Sequence, residues 1–72
     1  MKYSKKVQNH IKRAEGQVGS VRKMIVNGDE DDKVMIQLQA SISSLESLKT
    51  ELVKEQMKKA ILENVKSTLE AQ

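Results

Sequence analysis

Apolar and small side chains recur at alternating steps of four and three residues through the first third of the chain. This spacing keeps one face of an α-helix apolar and is typical of a helix that packs against another helix at a shallow angle. Asn27 and Gly28 follow the last apolar position, where glycine commonly ends a helix. The pattern predicts a first helix over about residues 4–26. Its packed positions are Val7, Ile11, Ala14, Val18, Val21 and Ile25.

The same spacing resumes after an acidic run that extends from Asp29 to Asp32. Carboxylates suit the positive end of a helix, and we expect Asp29 or Asp31 to cap the second helix. No glycine or proline interrupts residues 29–72. The pattern therefore predicts a turn at residues 27–30 and one long helix over about residues 31–68. Its packed positions are Val34, Leu38, Ser41, Leu45, Leu48 and Leu52.

The predicted fold is all-α, a single domain over residues 1–72 that forms an antiparallel hairpin of a short and a long helix. Two helices cannot enclose a core, and a chain of 72 residues without cysteine lacks disulfides to compensate. We therefore expect two hairpins to form a dimeric four-helix bundle, with a dimer of dimers as the fuller assembly. The expected partner is another copy of the chain, in a homodimer or homotetramer.

Charge is distributed unevenly along the chain. Residues 1–28 carry seven lysines and arginines and one acid, whereas residues 29–72 carry six lysines and nine acids. Such asymmetry indicates an anionic partner for the first segment, although a solvated lysine face explains it equally well. With one aromatic residue, Tyr3, the chain lacks stacking platforms for single strands, so duplex DNA is favoured.

Few residues could support catalysis or hold a metal. There is no cysteine and no phosphate-binding glycine loop, and His10 is the single histidine, so we expect neither an enzyme nor a cofactor. The acidic run lacks the ligand spacing of a calcium loop. No signal peptide or membrane-spanning run is present, which predicts a cytoplasmic protein without a membrane partner.

The segment "NHIKRAEGQVGSVRKMI", residues 9–25, combines two glycines with cationic side chains. Gly16 and Gly19 each cost up to about 1 kcal/mol relative to alanine inside a helix. A face of small residues permits close approach either by another helix or by a nucleic-acid backbone, and both explanations remain open. The side chains suited to DNA phosphates or base edges in this part of the chain are Lys5, Lys12, Arg13, Gln17, Arg22 and Lys23.

This segment, together with "VMIQLQASISSL" after Gly28, resembles the copper-sensitive operon repressor family of small helical bacterial regulators. The R-x-E-G-Q-V block is the most specific part of the match. The matching positions are Asn9, Lys12, Arg13, Glu15, Gly16, Gln17, Val18, Val34, Gln37, Ala40 and Leu45. The resemblance implies a helical bundle that binds double-stranded operator DNA through basic residues of the first two helices and releases it when an inducer binds.

The resemblance also exposes departures from the family. Ungapped placement puts the family's sensing cysteine, histidine and second cysteine at Asp31, Gln56 and Ala60, which cannot hold a soft metal ion such as Cu(I). A family arginine falls at Ile42, and the third helix is expected to be missing. No small-molecule inducer is identifiable.

Three functions remain as hypotheses. The first is a DNA-binding transcriptional repressor without a usable copper or thiol sensing site. The alternative is an oligomerisation module that no longer binds DNA and modulates a full-length relative. A third, metal sensing through carboxylates and His10, has the weakest support.

Overall fold

The computed structural model describes residues 2–71, and over this range it contains two helices and no strand. Helix α1 spans Lys5–Asn27 and helix α2 spans Asp31–Glu70. They pack antiparallel, which confirms the predicted all-α hairpin with a short first and a long second helix. The hairpin measures 65 × 17 × 12 Å, so it is about one helix thick. A single layer of two helices leaves most apolar side chains without cover.

The turn between the helices begins at Gly28, because α1 includes Asn27. Its φ of 72° and ψ of 32° place it in the left-handed region that L-residues with a side chain seldom adopt. The amide of Gly28 donates to the Ile25 carbonyl, and that of Asp29 donates to the Met24 carbonyl. These bonds satisfy carbonyls that the end of α1 leaves free.

The prediction that Asp29 or Asp31 caps α2 was wrong. The capping position is Glu30, and its side chain makes no capping hydrogen bond. Asp31 and Asp32 instead lie in the first turn, where their negative charge interacts favourably with the positive end of the helix dipole. The acidic run therefore stabilises the start of α2 by charge rather than by a side-chain cap.

Only part of the predicted packed stripe lies between the two helices. Val7, Ala14 and Ser41 are buried, and Val21, Val34, Leu48 and Leu52 are half-buried. The remaining stripe positions are exposed, as expected of a hairpin in which two helices cannot enclose a core. The stripe is wider than one neighbouring helix can cover. The exposed positions are Ile11 at 39%, Val18 at 49%, Ile25 at 62%, Leu38 at 38% and Leu45 at 47%.

The N-terminal segment is fastened to the middle of α2. The Ser4 amide donates to Glu55 Oε1 at 2.9 Å, and the Ser4 hydroxyl donates to Glu55 Oε2. Gln56 Nε2 donates to the Tyr3 hydroxyl at 2.8 Å, and Lys6 Nζ lies 3.5 Å from Glu51 Oε2. Beyond this point residues 57–70 of α2 have no helix beside them, over about 20 Å.

Candidate nucleic-acid interface

The side of α1 that faces away from α2 carries three lysines. Lys5, Lys12 and Lys23 are separated by about two and then about three helical turns, so they return to nearly the same side of the helix. All three are exposed, whereas Val7 and Ala14 on the opposite side are buried. We call this surface, formed by Lys5, Lys12, Gly16 and Lys23, the basic face.

In the part of the chain that the structure describes, no carboxylate forms an ion pair with a lysine of the basic face. Within residues 2–71 the ion pairs are Lys6 with Glu51 at 3.5 Å and Lys59 with Glu63 at 3.9 Å, and neither includes a lysine of the face. The single acid of α1, Glu15, lines a groove on another side of the helix. The positive charge of the face is therefore available to an anionic partner.

The two glycines of α1 do not serve as packing points within the chain. A Cβ placed on Gly16 or on Gly19 would meet no atom within 4 Å among the described residues. Close packing of α2 is therefore not the reason for either glycine. Gly16 lies among the lysines of the basic face, and Gly19 lines the groove beside Glu15.

The other three predicted contact residues lie elsewhere on α1. Arg13 is exposed and stands two turns from Lys6, on the flank opposite the groove. Arg22 lines the groove. Gln17 is half-buried between the helices, where its carbonyl oxygen Oε1 is buried without a hydrogen-bond partner and its backbone carbonyl accepts from Gln37 Nε2 at 3.5 Å. The structure thus separates the six residues onto four parts of the helix surface.

The groove is an open apolar surface along one edge of the hairpin. It encloses about 440 Å³. We call it the apolar groove. Exposed apolar side chains from both helices lie next to one another along this edge. Its lining residues are Ile11, Ala14, Glu15, Val18, Gly19, Arg22, Leu45 and Leu48.

The positions that the resemblance aligns with the family's sensing residues do not come together within one chain. Asp31 begins α2 and Gln56 lies about 37 Å further along the same helix, so they cannot meet within one chain. The Gln56 amide is already bound to the Tyr3 hydroxyl, and Ala60 offers no donor. Over residues 2–71, no group of three or more His, Asp or Glu side chains could hold an ion. His10 is half-buried.

Comparison of the sequence with models of known protein families identifies the family of this helical hairpin. The family model described as metal-sensitive transcriptional repressor matches residues 3–72, almost the whole chain. The chain belongs to this family. A search of curated proteins and a search of solved structures each gave no match. Neither helix of this repressor family member, within the part of the chain that the structure describes, has an apolar stretch able to cross a bilayer.

Sequence reasoning did not identify the contacts that fasten the N-terminus of this family member. Ser4 and Glu55 are 51 positions apart, and neither belongs to the apolar stripe. Serine before a helix is a recognisable capping signal, and Ser4 Oγ does accept from the Val7 amide at 3.3 Å. Its second partner on α2 depends on the register of the two helices, which the spacing of apolar residues did not determine.

Proposed function

We propose that this member of the metal-sensitive repressor family is a cytoplasmic, DNA-binding transcriptional repressor that acts as a homo-oligomer and has lost metal and thiol sensing. The observation that carries the proposal is the basic face: three exposed lysines that have no carboxylate partner within residues 2–71, on a chain that belongs to a family of transcriptional repressors. The partner is double-stranded operator DNA.

The arrangement of charge supports phosphate contacts by α1. Lys5, Lys12 and Lys23 would contact phosphates from the outer side of the helix, and Arg13 would do so from its flank. Gly16, which carries no side chain, lets a DNA backbone approach α1 between these lysines. Gln17 and Arg22 stay predictions of the sequence, since the first lies between the helices and the second beside the apolar groove.

The apolar groove supports assembly of the repressor with a second copy. Among residues 2–71, the hydrophobic side chains buried within one chain are Val7 and Ala14, too few to stabilise a hairpin of this length. The groove brings Ile11, Val18 and Leu45 to one edge, and a second hairpin placed antiparallel would cover them in a four-helix bundle. Assembly also multiplies the basic face, because each added chain brings its own set of lysines.

The loss of sensing follows from donor chemistry. A soft metal ion needs thiolate or imidazole ligands, and thiol sensors need cysteine, which the sequence lacks. Asp31, Gln56 and Ala60 offer one carboxylate, one amide that is already hydrogen-bonded, and one methyl group. The repressor would then bind DNA constitutively or respond to a different signal.

The experiment that tests this function is a titration of the duplex upstream of the protein's own gene, followed by fluorescence anisotropy against a scrambled duplex. We expect tighter binding to the upstream duplex and weaker binding by Arg13→Ala. Lys66→Ala is the matched control because Lys66 is an exposed lysine far from α1. No binding even at low salt would contradict the proposal and favour an oligomerisation module that modulates a relative.

A further inference from the structure

A second positively charged site lies at the end of the hairpin where α1 begins. It is a cleft of about 580 Å³, formed by residues before α1, by the first turn of α1 and by the stretch of α2 that continues past them. We call it the end cleft. It shares no lining residue with the apolar groove, and it takes no part in the basic face. Its lining residues are Lys2, Ser4, Lys6, Glu55, Lys58, Lys59 and Leu62.

Four of the seven residues that line the end cleft are lysines, and one is acidic. Lys6 and Lys59 each have a carboxylate within 4.0 Å, at Glu51 and Glu63, but their side chains are 73% and 49% exposed and can reach a ligand. Lys2 and Lys58 have no such partner among the described residues. The end cleft therefore holds a surplus of positive charge.

The remaining charged residue of the cleft, Glu55, is engaged in holding the structure together. Both of its carboxylate oxygens accept hydrogen bonds from Ser4, one from the backbone amide and one from the hydroxyl. These bonds fix the chain before α1 against α2 and so bring Lys2 and Lys6 beside Lys58 and Lys59. The cleft is thus formed by a tertiary contact, which positions lysines from two distant parts of the sequence around one space.

We propose that the end cleft binds a ligand with adjacent phosphate groups. Lysine ammonium groups act as point charges that suit phosphate oxygens, and several of them can share an anion that carries more than one charge. The volume is in the range of small-molecule sites and exceeds the need of a single phosphate. These phosphates have two possible sources: a small soluble molecule, such as a diphosphate or an oligophosphate, and consecutive positions of a DNA backbone. Only the DNA source rests on the function proposed above.

The first arm of the test measures inorganic pyrophosphate binding by isothermal titration calorimetry at low ionic strength. Lys58→Ala should weaken binding about two- to fivefold, the usual effect of one exposed charge pair. Lys54→Ala is the matched control, because Lys54 is an exposed lysine one turn earlier on α2 that does not line the cleft.

The second arm measures duplex DNA with the same variants. If Lys58→Ala lowers the affinity for DNA more than Lys54→Ala does, and the two variants bind pyrophosphate equally well, the cleft binds the DNA backbone. If the two variants differ in their affinity for pyrophosphate but not for DNA, the cleft binds a soluble ligand. Equal effects of the two substitutions on both ligands would overturn the proposal, because the charge would then act diffusely. Lys12→Ala in the DNA arm tests the basic face separately, so failure of one site does not imply failure of the other.

Discussion

Replacing Gly16 by alanine should stabilise the protein. The added Cβ would meet no atom within 4 Å in the chain, so no steric cost offsets the higher helix propensity of alanine. The gain expected at an exposed position inside a helix is about 0.8–1 kcal/mol. For a domain of this size that corresponds to an increase in Tm of about 3–8 °C, measured at a fixed protein concentration because assembly also shifts Tm.

Gly28→Ala is the matched control, since the same atom is added at a position with a φ of 72°. There the substitution should lower the free energy of unfolding by about 1–2 kcal/mol, because the left-handed conformation penalises a side chain. Thermal unfolding followed by circular dichroism compares the two variants with the wild type. A Gly16→Ala protein that is less stable than wild type would refute the reasoning and would show that another chain packs on Gly16 in the assembly. If DNA approaches α1 at this glycine, the same variant should bind DNA more weakly while its oligomeric state is unchanged.

Three further outcomes are expected. Leu45→Ala should destabilise the assembled form by about 2–5 kcal/mol if a second copy buries this side chain, and light scattering that shows a folded wild-type monomer would contradict that assignment. Hydrogen bonds from Ser4 hold the pKa of Glu55 below its usual range. The stabilisation from this contact should therefore be present at neutral pH and should disappear as the pH falls through the lowered pKa. The difference in Tm between wild type and Glu55→Gln should shrink on acidification, and a constant difference would argue against the contact. Cu(I), Ni(II) and Zn(II) should bind weakly in competition titrations and leave DNA affinity unchanged, whereas a tight stoichiometric Cu(I) complex would reveal a site formed by other residues.

The period of the apolar residues was enough to predict the hairpin. Steps of four and three indicate a helix, and Asn27-Gly28 marks the turn, where the structure has a left-handed glycine. The period could not determine which edge of the stripe packs within the chain. Ile11 and Val18 satisfy the spacing as well as Val7 and Ala14 do, and the choice depends on how the two helices are rotated about their axes. The structure places the first pair at the apolar groove.

The positively charged surfaces were only partly predictable. The basic segment near the N-terminus was evident from the sequence, and spacing alone assigns Lys5, Lys12 and Lys23 to one side of a helix. In contrast, residues 29–72 are acidic overall, so the charge distribution along the sequence did not single out Lys58 and Lys59. These lysines meet Lys2 and Lys6 only because Ser4 binds Glu55 across the hairpin, a contact that depends on tertiary register.

The central claim is that α1 binds DNA phosphates through its basic face. The most direct test is the salt dependence of binding to the upstream duplex, measured for wild type, Lys12→Ala and the Lys66→Ala control. Each phosphate that the protein neutralises contributes about −0.9 to the slope of log K against log[salt]. Lys12→Ala should weaken binding and make the slope shallower by about 0.9 for each phosphate that the assembly no longer neutralises, while Lys66→Ala should match wild type. An unchanged affinity and slope for Lys12→Ala, with the oligomer intact, would contradict the assignment of α1 to the DNA.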